Sequence, residues 1–598
     1  MTIRGLTLRF LILAVFGLSG NLSAQEISTT PSFEGDTEVI ASRIGTTPAE
    51  IGRRTTVIDR EEIESLPVQT LQGLLAVLPG VGLARRGGRG VQGDLNLRGG
   101  TFEQSVVMVN GVRVNNPQTG HHNLDLFIPL EAIERIEVLW GPGSAVYGPD
   151  AFGGAINIVT GVSAPIAAHV RKGENNLSGG ALAGSLKGLW GAVEREVHTG
   201  FRDNTEADIN QGAAGWSFHI GRSRLKIAAA AGRLHFGAHA FYSNLFPDER
   251  EWTEGQLMTL GIQTQLASDL NLHGALRLNR HEDDFVLDRH RPQWFHNHHV
   301  TRGALLDLSL RGSWRGWSWV GGLEAARDDI VSSNLGSHRS DRQALFAEVG
   351  RFSGPLTFAL QGRIDDQDRW GAITTGAIGG RWRFLPHWAI RASWGRSFRA
   401  PTFTDLYYQS PSTTGNADLE PEHGRTLEIG LEGSYVNLSI FRRRADPLID
   451  FVMGDDGVWR AENIGRLQTD GIEATLSLPA AGPLEWQRLG ITWLESDIEV
   501  DPARSRYALA HPRLEAAWTG AATCGNRMRA GWALRFRQAP TGSSWTTLDL
   551  RVGRRILPGM WLELEANNIF DRSITEVSGV PLPGRWVSMT ISWRGGPR

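Results

Sequence analysis

The sequence has almost no cysteine. Cys524 stands alone among 598 residues, which excludes an intramolecular disulfide and a multi-cysteine metal site and leaves it the role of a small side chain in a strand. Long apolar runs are missing too. Beyond Phe10 to Leu18, itself too short, no stretch approaches the roughly 20 apolar residues that a membrane-spanning helix needs. Any membrane span must therefore be built of strands. Neither sign of charge is in large excess, the net charge being -3, so neither nucleic acid nor another polyanion is expected as a partner. There is no nucleophile elbow, no zinc-protease HExxH, no phosphate-binding loop and no carboxylate pair that spacing would single out. No enzymatic activity and no cofactor are expected.

What is present begins with an export signal. Arg4 and Arg9 precede the apolar run Phe10 to Leu18, and Ser23-Ala24 offer small residues before Gln25, the pattern of a secretory signal peptide over residues 1–24. The mean hydropathy of -0.23 fits a soluble protein, and it fits equally a barrel whose strands turn only alternate residues to lipid.

Glycine is abundant, at 72 residues, and from Leu95 to Thr160 it falls at fixed offsets from short apolar runs. Val106 to Val109 and Val112 to Val114 flank Asn110-Gly111, which predicts a hairpin on a type I′ turn because both central residues must accept positive φ. Leu97-Arg98-Gly99, Gly141-Pro142-Gly143-Ser144 with Tyr147-Gly148, and Gly153-Gly154-Ala155-Ile156-Asn157-Ile158 punctuate the rest. So many glycines imply tight turns and close backbone approach.

In this order the motifs resemble the plug domain of TonB-dependent outer-membrane receptors. Three later patches resemble the same family: Phe398 to Phe403 with Asp405-Leu406-Tyr407, Asn463-Ile464-Gly465 with Gly471-Ile472-Glu473, and Asn567 to Asp571 with Pro583-Gly584-Arg585. The resemblance implies a substrate-gated transporter. Its expected partners are a TonB-type inner-membrane energy-transducing protein, a small-molecule nutrient, outer-membrane lipid and, during biogenesis, the barrel-assembly machinery. The order of the plug motifs is most similar to the cobalamin-receptor branch, which makes a corrinoid the leading substrate and a ferric siderophore, haem or other metal chelate the alternative. A passive channel, which has no use for a box or a plug, and a surface adhesin or bacteriocin receptor are the other classes; neither fits the plug as well.

Residues 25–45 read as a polar leader. Within it Asp36, Thr37, Glu38, Val39, Ile40, Ala41 and Ser42 form a β-prone patch that looks like the TonB box, an extended segment able to add a strand to a partner's sheet edge; the alternative is a first plug strand. A chain starting at Gln25 has no room for a further periplasmic domain ahead of the box, so transcriptional signalling is not expected. The plug is expected over residues 46–160. Asp59 and Glu62 suggest a capping box, and Val68, Leu71, Leu74, Leu75 and Leu78 lie at helical spacing ahead of Pro79-Gly80, a core stripe.

Two polar plug loops carry the candidate ligand contacts. Arg85, Arg86, Arg89 and Gln92 stand on the first, and Asn115, Asn116, Gln118, His121, His122 and Asn123 on the second; by resemblance these are the outward-facing apices, while by composition alone each is a solvated turn. The resemblance also implies a latch in which Arg98 pairs with Glu428 and Glu473 of the wall, a hydrated lumen being the alternative. The family often places a second arginine before the Gly-Pro element, where this chain has Trp140.

Past Gly161 the texture becomes alternating. Leu548, Leu550 and Val552 interleave with Asp549 and Arg551; Leu427, Ile429 and Leu431 with Glu428 and Glu432; Leu562 and Leu564 with Glu563 and Glu565. Charges at every second position cannot face a dry core, but they suit a barrel with lipid outside and water or a plug within. The roughly 440 residues from Gly161 to Arg598, at about 20 per strand and its share of loop, make about 22 strands, a size associated with plugged transporters. Trp388, Trp545, Trp561 and Trp586 near segment ends suit interfacial girdles. The closing strand Trp586 to Trp593 alternates Val587, Met589 and Ile591 with serine and threonine. The expected fold is thus an all-β transmembrane barrel of antiparallel strands over residues 161–598 around an N-terminal α+β plug, in the bacterial outer membrane. His281, His290, His296, His298 and His299, with Trp294 and Phe295, could meet a haem or chelate, but their spacing matches no defined site and no metal ligands are assigned.

Overall fold

The computed structural model describes Arg43 and residues 52–595, apart from Ser243, Asn244, Thr541 and Ser578. The signal segment and the expected box, Asp36 to Ser42, lie outside the described residues.

Strands β1 (Thr55–Asp59), β2 (Val81–Arg85), β3 (Gly93–Leu97), β4 (Ser105–Val109), β5 (Val112–Arg113), β6 (Ile133–Trp140) and β7 (Gly154–Thr160) build the plug with helices α1 (Arg60–Ser65), α2 (Leu71–Ala76) and α3 (Ser144–Tyr147). Five strands form one sheet in the order β1-β6-β7-β4-β5, and β2 pairs with β3 beside it. Only β4 and β7 in that sheet run parallel. The expected hairpin is present, with φ of 53° at Asn110 and 82° at Gly111.

The Asp59 side chain accepts the Glu62 amide and starts α1, but the Glu62 carboxylate turns outward to Arg488 of the wall, so this is a single cap rather than a reciprocal box. Helix α2 is shorter than its apolar stripe. The Thr70 hydroxyl accepts the Gly73 amide at 3.0 Å, so the helix begins after Val68 and ends before Leu78, yet both side chains stay in the same core. That core holds Ile58, Leu74, Val138, Ile156 and Ile158 and runs outward onto Ala183, Ala192, Ala213, Ala230 and Ala533 of the wall. Small inward residues leave the barrel room for its plug.

The wall is a closed barrel of 22 antiparallel strands. It closes where Trp586–Gly595 pairs with Ile166–Gly173, Ile591 facing Val170. Alternation is inverted relative to a soluble protein: Leu427 and Ile429 are 52% and 56% exposed, whereas Glu428 between them is 2% exposed. The same parity buries Arg342, Phe346 and Glu348 and exposes Leu345 and Val349. Apolar side chains outside and charged ones inside are what lipid without and a polar lumen within require. No helix among the described residues is long and apolar enough to cross a membrane.

The tryptophan expectation needs correction. Trp561 and Trp586 stand at strand ends but are buried on the lumen side, Trp586 edge-on to His198. The exposed belt draws instead on Trp216, Trp314, Trp382 and Trp593. Cys524 is the exposed last residue of the strand Leu514–Cys524.

Candidate functional site

Plug and wall meet through buried charge. After β3 the chain turns at Arg98 and Gly99, with φ of 54° and 70°, and the Gly100 amide donates to Leu97 O. Left-handed backbone at a non-glycine is strained by about 1–3 kcal/mol and persists only where surroundings compensate. Here they do. Arg98 Nη1 donates to Glu428 Oε2 at 2.6 Å and Nη2 to Glu473 Oε2 at 2.7 Å, all three side chains being at most 2% exposed. Burial opposes the charged guanidinium, but Glu428 and then Glu473 hold the Arg98 pKa above its ordinary value.

Two further arginines that spacing did not reveal complete the cluster. Arg391 of the wall pairs with Glu428, and Arg54 of the plug pairs with Glu473. Arg54 precedes β1, whose register sets Thr55 against Leu139, so it lies beside Trp140 at the end of β6. The Trp140 amide donates to Arg54 O at 3.1 Å and the guanidinium sits 4.8 Å from the centroid of the indole. A second arginine is thus present, reaching the site from the residue before β1 instead of from position 140.

A second node explains the Phe398 to Tyr407 motif. Thr402 and Asp405 form a reciprocal capping box on the helix Phe403–Tyr407. Arg399 donates to Asp405 at 2.8 Å and to Glu422 at 2.9 Å, and it also pairs with Glu103 of the plug. Gln104 adds a bond to Glu422 at 2.7 Å.

The two polar plug loops lie at the end of the barrel where the strand connections are long, such as residues 238–249 and 287–295. Asn116 and Asn123 hold the second loop's own backbone, and Asn115 ties the loop to β4 by accepting from the Val107 amide and donating to Ser105 O. Arg85 pairs with Glu576 at 2.8 Å and Arg89 with Glu196 at 3.1 Å, while Gln92 reaches the Tyr242 hydroxyl at 3.2 Å. Arg86 and His121 converge on Asp94 at 3.0 and 2.6 Å. His121 stacks on Phe102 at 4.2 Å, with Tyr242 and Tyr507 edge-on around it. Gln118 and His122 instead approach Asp283 of the wall, at 3.0 and 3.4 Å. The adjacent histidines titrate oppositely: burial pushes His121 down despite Asp94, whereas Asp283 and Asp125 outweigh burial and hold His122 well above its usual value. Of the loop histidines, His281 and His299 face the lumen and are buried; His290, His296 and His298 are exposed beside Asp248, Asp284 and Glu282.

The model of the TonB dependent receptor-like β-barrel matches residues 182–569, and that of the TonB-dependent receptor plug domain matches residues 47–155. The chain belongs to the TonB-dependent receptor family. Receptors of this family are outer-membrane transporters that work with TonB on a small-molecule ligand, and this receptor performs TonB-dependent uptake across the outer membrane. It is 26% identical over 595 residues to the vitamin B12 transporter BtuB of Vibrio vulnificus YJ016, covering 92% of both chains. Among solved structures, the copper transporter OprC superposes with a TM-score of 0.76 at 15% identity, covering 92% of the receptor and all of OprC. The siderophore receptor PirA of Pseudomonas aeruginosa superposes at 0.72 with 16% identity, covering 92% of the receptor and all of PirA. At that identity the two structures show the shared fold.

Proposed function

We propose that the receptor imports a corrinoid, binding it from outside on the plug apices. The observation that carries this reading is the continuous likeness to a vitamin B12 transporter over 92% of both chains. Nine of the ten apex residues divide the work, and the tenth, His122, leans on Asp283 of the wall. Arg85, Arg86, Arg89 and Gln92, with Asn115, Asn116, Gln118 and Asn123, shape and hold the loops, and His121, stacked on Phe102 with Tyr242 and Tyr507 edge-on, offers an aromatic cluster to a large ligand.

Asp36 to Ser42 serves in this reading as the TonB box, freed by export and by removal of residues 1–24. The plug occupies residues 46–160 and the barrel residues 161–598, which the assembly machinery inserts into lipid by recognising the closing strand. Ligand at the apex must favour the state with a released box, since a ligand of equal affinity for both states shifts nothing. Arg98 with Glu428 and Glu473 holds the plug until TonB pulls.

A metal chelate is the second reading, favoured by the histidines His121, His122 and His281 around the apex. Binding of cyanocobalamin and of a ferric siderophore to the purified receptor, with uptake of each by cells dependent on it, separates the two. Stoichiometric cyanocobalamin binding weakened by His121→Ala or Tyr507→Ala supports the corrinoid reading; siderophore accumulation without cyanocobalamin binding overturns it.

A further inference from the structure

We propose that His122, Glu251 and Asp283 form a site for one divalent transition-metal ion of the zinc class, bridging plug and wall. His122 lies on the turn Gly120–His122 of the plug, Glu251 on the wall strand Arg250–Ala267 and Asp283 on its neighbour Leu270–Val286. One donor atom from each lies within 4.8 Å of the others, and His122 Nε2 is 3.4 Å from Asp283 Oδ2. Nitrogen and oxygen donors held at about 2.1 Å in a tetrahedron stand roughly 3.4 Å apart, the separation His122 and Asp283 already have, so closing on an ion asks mainly for Glu251 to move inward.

The second observation is what the cluster leaves unpaired. Asp283 Oδ1 and Glu251 Oε1 are shut off from solvent without a hydrogen-bond partner, although the residues are 5% and 1% exposed. Their other oxygens are taken, Glu251 Oε2 by the Tyr242 hydroxyl and Asp283 Oδ2 by Gln118. Among the described residues no lysine or arginine is paired with either carboxylate, and Asp125 adds a third acid nearby. Three buried carboxylates, Glu251, Asp283 and Asp125, share the imidazole of His122, and a divalent ion that takes the place of its Nε2 proton brings one more positive charge to them than that proton does.

The surroundings are those of a ligating imidazole. Asp125 Oδ2 lies 2.9 Å from His122 Nδ1 and orients the ring so that Nε2 faces Asp283, as outer carboxylates do for metal-bound histidine. One imidazole with two carboxylates suits zinc, cobalt(II) or nickel(II); calcium and magnesium prefer all-oxygen sets, and copper(I) prefers sulfur. With one ligand from the plug and two from the wall, the ion ties the apex to the barrel whatever the cargo.

The test is titration of the chelator-stripped, full-length receptor in detergent with zinc, followed by cobalt(II) absorption and anomalous diffraction at the zinc edge. One equivalent should bind between the three residues. Glu251→Gln/Asp283→Asn should abolish it, and Asp125→Asn should weaken it roughly 10–100-fold. His296→Ala, in the exposed hairpin beside Asp284, should bind as wild type. The carboxamide pair removes charge repulsion without losing volume, so heat-modifiable gel mobility should confirm a folded barrel. Absence of stoichiometric zinc in the wild type, or equal binding in the carboxamide variant, overturns the proposal.

Discussion

Arg54 lies across the face of Trp140, its guanidinium 4.8 Å from the ring centroid, and from there it pairs with Glu473, which Arg98 also holds. Plug and wall are therefore joined by carboxylates of the wall shared between arginines. Glu473 joins two arginines of the plug, and Glu428 joins Arg98 to Arg391 of the wall itself.

Arg98→Ala should loosen the plug. It leaves Glu428 and Glu473 buried with fewer partners, and breaking a buried pair from one side typically costs about 3–5 kcal/mol. Denaturant titration of the folded receptor, with hydrogen exchange of β3, should register a loss of that order. Arg98→Ala combined with Glu428→Gln and Glu473→Gln should recover part of it. A triple variant as unstable as the single one would show that the charges are not the cause.

Acid should strengthen the node at Arg399. Glu103 is buried and stands beside Asp405 and Glu422, which together hold its pKa well above the ordinary value despite Arg399. A group whose folded pKa is raised favours the folded state below its unfolded value, about 4.3 for glutamate, and that contribution is lost as pH rises through the folded value. Plug stability measured from neutral pH downward should therefore climb through that window. Glu103→Gln should flatten the climb and cost little at neutral pH, and an unchanged profile would count against it.

Gly531→Val should prevent the plug from seating. A side-chain carbon there would run into the carbonyl oxygen of Ser65, plug backbone that cannot give way like a flexible side chain. Overpacking of this kind costs about 1–3 kcal/mol or displaces the partner. Gly362→Ala, with nothing within 4 Å of the added carbon, is the control. Protease resistance of the plug in detergent should fall for the first variant only.

Deleting Asp36 to Ser42 should abolish ligand accumulation and leave ligand binding at wild-type affinity, because the proposed box touches TonB and not the cargo. Uptake at the wild-type rate in such cells would instead mark a passive channel.

The architecture is legible in local patterns of residues. Strand alternation has a period of two and is written locally, so Leu427-Glu428-Ile429 announces a wall between lipid and lumen wherever its partners lie. The glycine-punctuated plug motifs and the Asn110-Gly111 turn are equally local. The grouping of Arg98, Glu428 and Glu473 follows from family resemblance, since no spacing joins residues so far apart. Which side chains meet is set by the folded chain. Closure of the 22 strands fixed the parity that hides Trp561 and Trp586, and the β1–β6 register carried Arg54 to Trp140. The seating of the plug set His122 against Glu251 and Asp283. Such pairings depend on strand register and on packing between domains, which act across hundreds of residues, and no local pattern of side chains records them.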